Sequence, residues 1–176
     1  MENNIRQQLT LFVPRKDAIE IELIRNRYNH IQHNLIDSHV TLCREDEIVD
    51  IDQVLCNLKM IDLSSITINF GKPVRFENGN GVLLPAYGIN EQFHELRKKV
   101  LTGLLNIVRH HEPHITLLHP RNSSFNKEVF KAIQKANLPA NLNFDTISLI
   151  EQINGSKWRI KNEFKLKTTT PFIKSM

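Results

Sequence analysis

One pattern occurs twice in this chain: His39-Val40-Thr41-Leu42 and His114-Ile115-Thr116-Leu117. Each copy lies in a stretch with the period-two pattern of a β-strand. Successive strand side chains point to opposite faces, so His and Thr share one face. Val40 and Leu42, or Ile115 and Leu117, take the other face and anchor it in the core. A single copy would read equally well as a hydrogen-bonded structural histidine. Two copies in corresponding halves point instead to one site, with two polar pairs displayed on a rigid floor.

The surrounding pattern places these strands in an alternating order of elements. A strand over 8–14 is followed by a helix over 18–28, capped by Asp17 with Ile19, Leu23 and Ile24 on one face. The first motif strand covers 38–43. Asp50 or Asp52 caps a second helix that turns Val54, Leu55 and Leu58 inward. Strands over 65–70 and 81–87 flank Asn78-Gly79-Asn80-Gly81, a hairpin signal because Asn and Gly tolerate positive φ. Asn90 opens a helix through 106, with Phe93, Leu96, Val100, Leu101 and Leu104 as its apolar stripe. The second motif strand covers 113–119, and Ser123 or Ser124 caps a helix through 136. Strands over 142–153 and 157–166 flank the turn Asn154-Gly155. The order β-α-β-α-β-β-α-β-α-β-β divides into two similar halves when the helix at Asn90 is matched to that at Asp17. No linker separates them. The expected domain is a single bilobal unit over 1–176, with a core over about 6–166 and a loose tail over 167–176.

The chemistry follows from the residue types. In-line cleavage of a phosphodiester needs a base for the nucleophile and an acid for the leaving oxygen, on opposite sides of phosphorus. Two imidazoles with an ordinary pKa of ~6.5 can start one neutral and one protonated. A Thr two residues along each strand can donate its hydroxyl to a phosphate oxygen.

At these residues the chain resembles the two-histidine (2H) phosphoesterase superfamily, in particular its bacterial 2′-5′ RNA ligase-like group. The resemblance covers roughly residues 6–166, and Glu112-Pro113-His114-Ile115-Thr116-Leu117 matches the second family motif closely. It implies an α+β, pseudo-twofold bilobal fold, with two antiparallel sheets lining a central cleft and helices outside. It implies hydrolysis of 2′,3′-cyclic phosphates or 2′-5′-linked RNA or nucleotides without a metal or other cofactor, with reversible RNA end-joining in some members. A non-catalytic RNA- or nucleotide-binding module on the same fold is the remaining alternative. Carried over residue by residue, His39 and His114 form the acid/base pair, in either assignment, and Thr41 and Thr116 bind phosphate. One position departs from the family: relatives often carry Arg three residues after the second Thr, where this chain has His119, while Arg44 holds that place after the first. Arg121 is a candidate replacement cation.

Arg44, Arg121, His119 and Tyr87 are thus candidate substrate-binding residues, Tyr87 as a base-stacking ring. Phe12 and Trp158 read as packing residues. Cys43 shares the alternation of His39 and Thr41, which would set it beside the cleft; the default reading is a small filler residue. His110, His111, His114 and His119 crowd together, but Pro113 breaks the helix that an H-E-x-x-H metal motif needs, so His110 and His111 read as exposed loop residues and His30 and His33 as solvent-facing. Net charge is +4 (23 Lys+Arg against 19 Asp+Glu), which favours an anionic partner such as an RNA end or nucleotide. No run approaches the ~18 apolar residues of a membrane span. The N-terminal residues lack the apolar stretch of a signal peptide, and Cys43 and Cys56 make neither a disulfide framework nor a zinc pattern. The expectation is a cytoplasmic monomer with no membrane partner.

Overall fold

Alternating apolar residues build the strands, and capped amphipathic segments build the helices between them. The computed structural model describes residues 4–77, 79–105 and 108–167. The elements are β1 (Ile5–Phe12), α1 (Ile19–Tyr28), α2 (His30–Leu35), β2 (His39–Cys43), α3 (Ile51–Met60), β3 (Ile66–Asn69), β4 (Val74–Arg75), β5 (Val82–Pro85), α4 (Glu91–Val100), β6 (His114–Leu118), α5 (Lys127–Gln134), β7 (Asn141–Phe144), β8 (Thr146–Ile153) and β9 (Arg159–Lys165). The protein is α+β with antiparallel sheets. Seven strands run in the order β4-β5-β6-β2-β1-β8-β9, and β3 pairs with β7 in a separate sheet of two. Most of the expected tail, 168–176, lies outside the described residues. Lys167, at its start, is held by a backbone bridge to Ser64 and an ion pair with Asp62.

The two halves are related by an approximate twofold axis at the β2–β6 pair. Each motif strand pairs with the strand that precedes its helix: β2 with β1, β6 with β5. Helix α1 packs over β6 of the other half, and α4 packs over β2. The outer neighbours are exchanged as well. Strand β8, from the second half, lies beside β1, while β4, from the first, lies beside β5. The β3–β7 pair also takes one strand from each half. The axis assigns β5 to the second half, as the counterpart of β1, rather than to the end of the first.

Several local expectations change. The turn before β5 joins it to β4, with Val74 opposite Leu83, not to β3; Asn78 within that turn lies outside the described residues. The run over 142–153 breaks at Asp145 into β7 and β8, which belong to different sheets. Asp17 does not cap α1. It sits in a turn closed on the Pro14 carbonyl, and Ala18 takes the cap position without a side-chain bond. In α1 the inward face is Ile21, Ile24 and Arg25, so Ile19 and Leu23 are exposed. The cause is Arg25: a buried arginine holds an inward position that apolar periodicity cannot credit to it. Asp50 caps α3 through the Gln53 N–H (3.0 Å), with Val54 and Leu58 fully buried and Leu55 partly so. Asn126, not Ser123 or Ser124, caps α5 through the Val129 N–H (2.8 Å). Helix α4 ends at Val100, short of the expected 106. The Asn154-Gly155 turn behaves as expected. Both residues have positive φ (51° and 73°) and Ser156 N–H closes on Ile153, the primed geometry that suits strand twist.

Candidate active site

The geometry of the site follows from one register. Val40 and Ile115 are directly opposed in the antiparallel β2–β6 pair, and both are fully buried. His39 then lies opposite Thr116 and Thr41 opposite His114, all four on the other face. The two histidines are diagonal neighbours, for which strand geometry sets a separation of ~7–8 Å between backbones.

Each motif strand ends in the same irregularity. Thr10 faces Thr41 but Leu9 faces Cys43, so Leu42 is an extra residue; likewise Leu83 faces Thr116 but Val82 faces Leu118, so Leu117 is extra. A bulge of this kind flips the residue after it to the opposite face. Cys43 therefore does not border the cleft. It is fully buried beside Leu9, and burial pushes its thiol up to about 12. The sequence alternation was correct as far as Thr41 and failed at the bulge.

Both histidines are oriented by the same device. His39 Nδ1–H donates to the Asp37 carbonyl (2.8 Å), and His114 Nδ1–H donates to the Glu112 carbonyl (3.2 Å). A bond from Nδ1 fixes the tautomer and leaves Nε2 as the proton-accepting nitrogen of each neutral ring. Burial lowers the pKa of both. His39 falls to about 4, with Arg25 and His114 adding to the effect; His114 is lowered by burial and by Arg44. The pair is thus geometrically matched and electrostatically unequal.

A cleft of about 350 Å³ opens over this face, bordered by His39, Thr41 and Thr116. Its walls carry Arg6, Arg25, Arg121 and His119, and no carboxylate among the lining residues. His114 stands outside that lining, edge-on to Phe76 (6.0 Å) and His111 (5.8 Å). Antiparallel pairing explains which cations attend which histidine. The C-terminal end of β6 adjoins the start of β2, so His119 and Arg121 reach the His39 side. The end of β2 adjoins the start of β6, so Arg44, exposed and outside the cleft lining, acts electrostatically on His114. His119 is half-buried, its Nδ1 accepts the Arg121 N–H (3.2 Å), and burial lowers its pKa. Tyr87 is 60% exposed at the end of β5 and is not among the cleft's lining residues. Phe12 is half-buried with its ring edge-on to His39 (6.1 Å).

Other residues at the site come from distant parts of the chain. Trp158, expected to pack in the last hairpin, lines the cleft instead, with the Arg6 guanidinium 5.5 Å from its ring centroid. The strand pair β1–β8 sets Arg6 opposite Gln152, and Arg6 donates to both Gln152 (3.3 Å) and Glu45 (2.7 Å). Arg25 is 2% exposed; it holds Glu22 (2.7 Å) and the Ile36 carbonyl (2.6 Å) just upstream of the first motif. Glu22 in turn binds the Ser38 N–H (2.5 Å) and His33, which is therefore not simply solvent-facing. His30 is exposed, bonded to Asn26 of α1 (2.9 Å) and Asn34 of α2 (3.0 Å). His111 is no exposed loop residue either. Half-buried, it donates to the Thr41 carbonyl (3.2 Å), and burial lowers its pKa to about 4. A larger depression of about 540 Å³ lies between the loop after β1 and strands β7 and β8, and holds none of the motif residues.

Among the described residues no helix is long and apolar enough to cross a membrane. No curated protein is close enough in sequence to count as a relative of this chain. Solved structures are similar in fold. Escherichia coli LigT in its apo form gives a TM-score of 0.67 at 13% identity, over 96% of this chain and all of LigT (100%). LigT complexed with NADP+ gives 0.66 at 13% identity, over 93% of this chain and 98% of LigT. The Thermus thermophilus protein TT0787 gives 0.60 at 16% identity, over 94% and 100%. The sequence profile of the 2′-5′ RNA ligase superfamily matches residues 13–156, a span that contains both motifs. The chain belongs to the 2′-5′ RNA ligase superfamily, the group of 2H phosphoesterases with the LigT fold.

Proposed function

We propose that the cleft cleaves a phosphodiester at a ribose 2′ position, either a 2′,3′-cyclic phosphate or a 2′-5′ linkage, by acid/base catalysis between His39 and His114. The observation that carries this reading is the diagonal pair of imidazoles, each with Nδ1 tied to the carbonyl two residues upstream and each beside a threonine hydroxyl. His39, with the lower pKa, is neutral across the physiological range and serves as the base. It takes a proton from water as the water oxygen bonds to phosphorus. His114 gives its proton to the ribose oxygen as the bond from phosphorus to that oxygen breaks. The negative charge of the bound diester raises the pKa of His114 toward the protonated form this role needs. Thr41 and Thr116 donate to the non-bridging oxygens, and Arg25 and Arg121 offset charge on the His39 side. Arg44 supplies positive potential on the other.

E. coli LigT has been solved with phosphate, ATP and 3′-AMP as well as NADP+, which supports a nucleotide-sized occupant here. RNA end-joining uses the same two histidines in the same roles: a 5′-hydroxyl replaces water, its oxygen bonds to the phosphorus of a 2′,3′-cyclic phosphate as His39 takes its proton, and the bond to the 3′ oxygen breaks as His114 protonates that oxygen, leaving a 2′-5′ linkage. The superfamily's name favours it as the second reading.

The test is turnover of a panel of 2′,3′-cyclic and 2′-5′-linked nucleotides in EDTA. His39→Ala and His114→Ala should each lose about 10²–10⁴-fold in rate. Near wild-type turnover in either variant refutes the mechanism. Salt-sensitive binding of 2′-AMP by the wild type with no turnover over hours would instead establish a binding module.

A further inference from the structure

We infer that His94, His110 and Glu112 form a binding site for a divalent transition ion of the zinc type, outside the cleft. The three donor atoms come from two elements: His94 from α4, and His110 and Glu112 from the segment leading into β6. All lie within 4.8 Å of one another. His110 Nε2 is 2.5 Å and His94 Nε2 is 4.0 Å from Glu112 Oε1, and the two imidazoles are stacked with centroids 4.7 Å apart. Zinc bonds of ~2.0–2.1 Å in tetrahedral array put donor atoms ~3.3 Å apart. The present spacings to Glu112, 2.5 and 4.0 Å, bracket that value, and His110 and Glu112 are exposed side chains.

Two observations beyond proximity point to a ligand. His94 Nε2 is a buried nitrogen with no hydrogen-bond partner, aimed at the other two groups. Such an atom costs free energy unless something satisfies it. The second oxygen of Glu112 is held by Asn90 Nδ2 (3.3 Å), the kind of outer contact that fixes a ligating carboxylate. Two imidazoles and one carboxylate with a fourth position open suit zinc, and an ion such as Mg²⁺ or Ca²⁺ would want oxygens throughout. Nearby cations do not cancel the site. Arg97 is committed to Glu47 (2.7 Å) and Arg109 to Asp46 (3.4 Å), which leaves the Glu112 charge for the ion. A cavity of about 440 Å³ bordered by His94 and His110 gives access from solvent.

A metal there staples α4 to the lead-in of β6. The Glu112 carbonyl in that lead-in orients His114. The role is therefore structural, and it stands or falls apart from the chemistry proposed for the cleft.

The experiment is zinc titration of the EDTA-stripped, full chain against a chromophoric competitor, with thermal melting alongside. One equivalent should bind with a dissociation constant of about 10 µM or tighter, and the melting temperature should rise with zinc. His110→Ala and Glu112→Gln, both at exposed side chains, should weaken binding about 10–100-fold, as should His94→Gln, and all should abolish the thermal shift. Binding weaker than about 100 µM in the wild type overturns the inference. So does tight binding that His110→Ala leaves intact, in particular if His39→Ala or His114→Ala removes it, since the ion would then sit in the cleft.

Discussion

Replacing Arg97 by methionine removes a buried charge that serves three parts of the fold at once. Arg97 is 1% exposed. It binds Glu47 (2.7 Å), the Arg109 carbonyl (3.0 Å) and the carbonyl of Leu42, the extra residue of the bulge in the first motif strand. Stranding a buried ion-pair partner costs about 3–5 kcal/mol, and a carbonyl left without its donor costs ~1–3 kcal/mol. These costs overlap. Glu47 keeps the Arg44 N–H (2.9 Å) and a distant Arg109 (3.8 Å), so a loss of about 4 kcal/mol is expected. That is a large part of a typical total of ~5–15 kcal/mol. The same ion pair makes the loss depend on pH. Burial tends to raise the Glu47 pKa, and the Arg97 bond is the largest effect holding it below 4.5. In the native protein this contribution is present above 4.5 and lost as pH falls through the lowered value. Without Arg97 burial dominates, the folded pKa rises above 4.5, and ionised Glu47 becomes a cost. The gap between wild type and variant should then narrow as pH falls from 7 toward 4. Adding Glu47→Gln should recover at least half of the loss. Urea unfolding followed by circular dichroism measures all four proteins. A loss under about 1 kcal/mol, or a double variant that loses the sum of both single effects, refutes the argument.

Three further outcomes are expected. The profile of kcat/KM for a 2′,3′-cyclic nucleotide should be a bell on the acid side of 6.5. It should rise with pH as His39 loses its proton near about 4 and fall as His114 loses its own below 6.5; an optimum above neutrality contradicts the assignment of base and acid. Gly81→Ala should destabilise by about 1–3 kcal/mol. The new methyl would lie 2.5 Å from the Leu118 carbonyl and 2.9 Å from the Phe76 ring, and an unchanged urea midpoint would show that the backbone yields freely. Trp158→Ala should raise KM for nucleotide substrates about 5–150-fold, the loss of one base stack, with kcat nearly unchanged; a fall in kcat at constant KM would place Trp158 in a different role.

The sequence was informative wherever a short-range period governs the structure. The alternation in 39–42 and 114–117 put each His-Thr pair on one face, and the strand–helix order exposed the repeat. It was silent where distant pairing decides. Nothing local announces that Trp158 N–H binds the Leu35 carbonyl and so brings the ring to the cleft, or that Arg6 faces Gln152 across β1 and β8. Arg25 and Arg97 were invisible for another reason. Each is the seventh residue of a ten-residue helix, buried and paired with a glutamate, on the inward stripe at a spacing of i, i+3, i+4 that a count of apolar residues passes over. Cys43 and the break at Asp145 show the limit of alternation itself: one extra residue in a strand, or one residue between two sheets, reverses every inference downstream.

The exchange of β4 and β8 between the halves has an architectural consequence. A chain of half this length, with one motif and one buried arginine, would leave its first strand with an open edge and its last strand with no sheet to join. Both needs are met when a second copy donates the complementary strand, and the same step sets two motifs side by side in antiparallel register. The arrangement seen in one chain is therefore one that two identical half-length chains could reach only by assembling, and cutting the loop between β4 and β5 should yield fragments that function together and not apart.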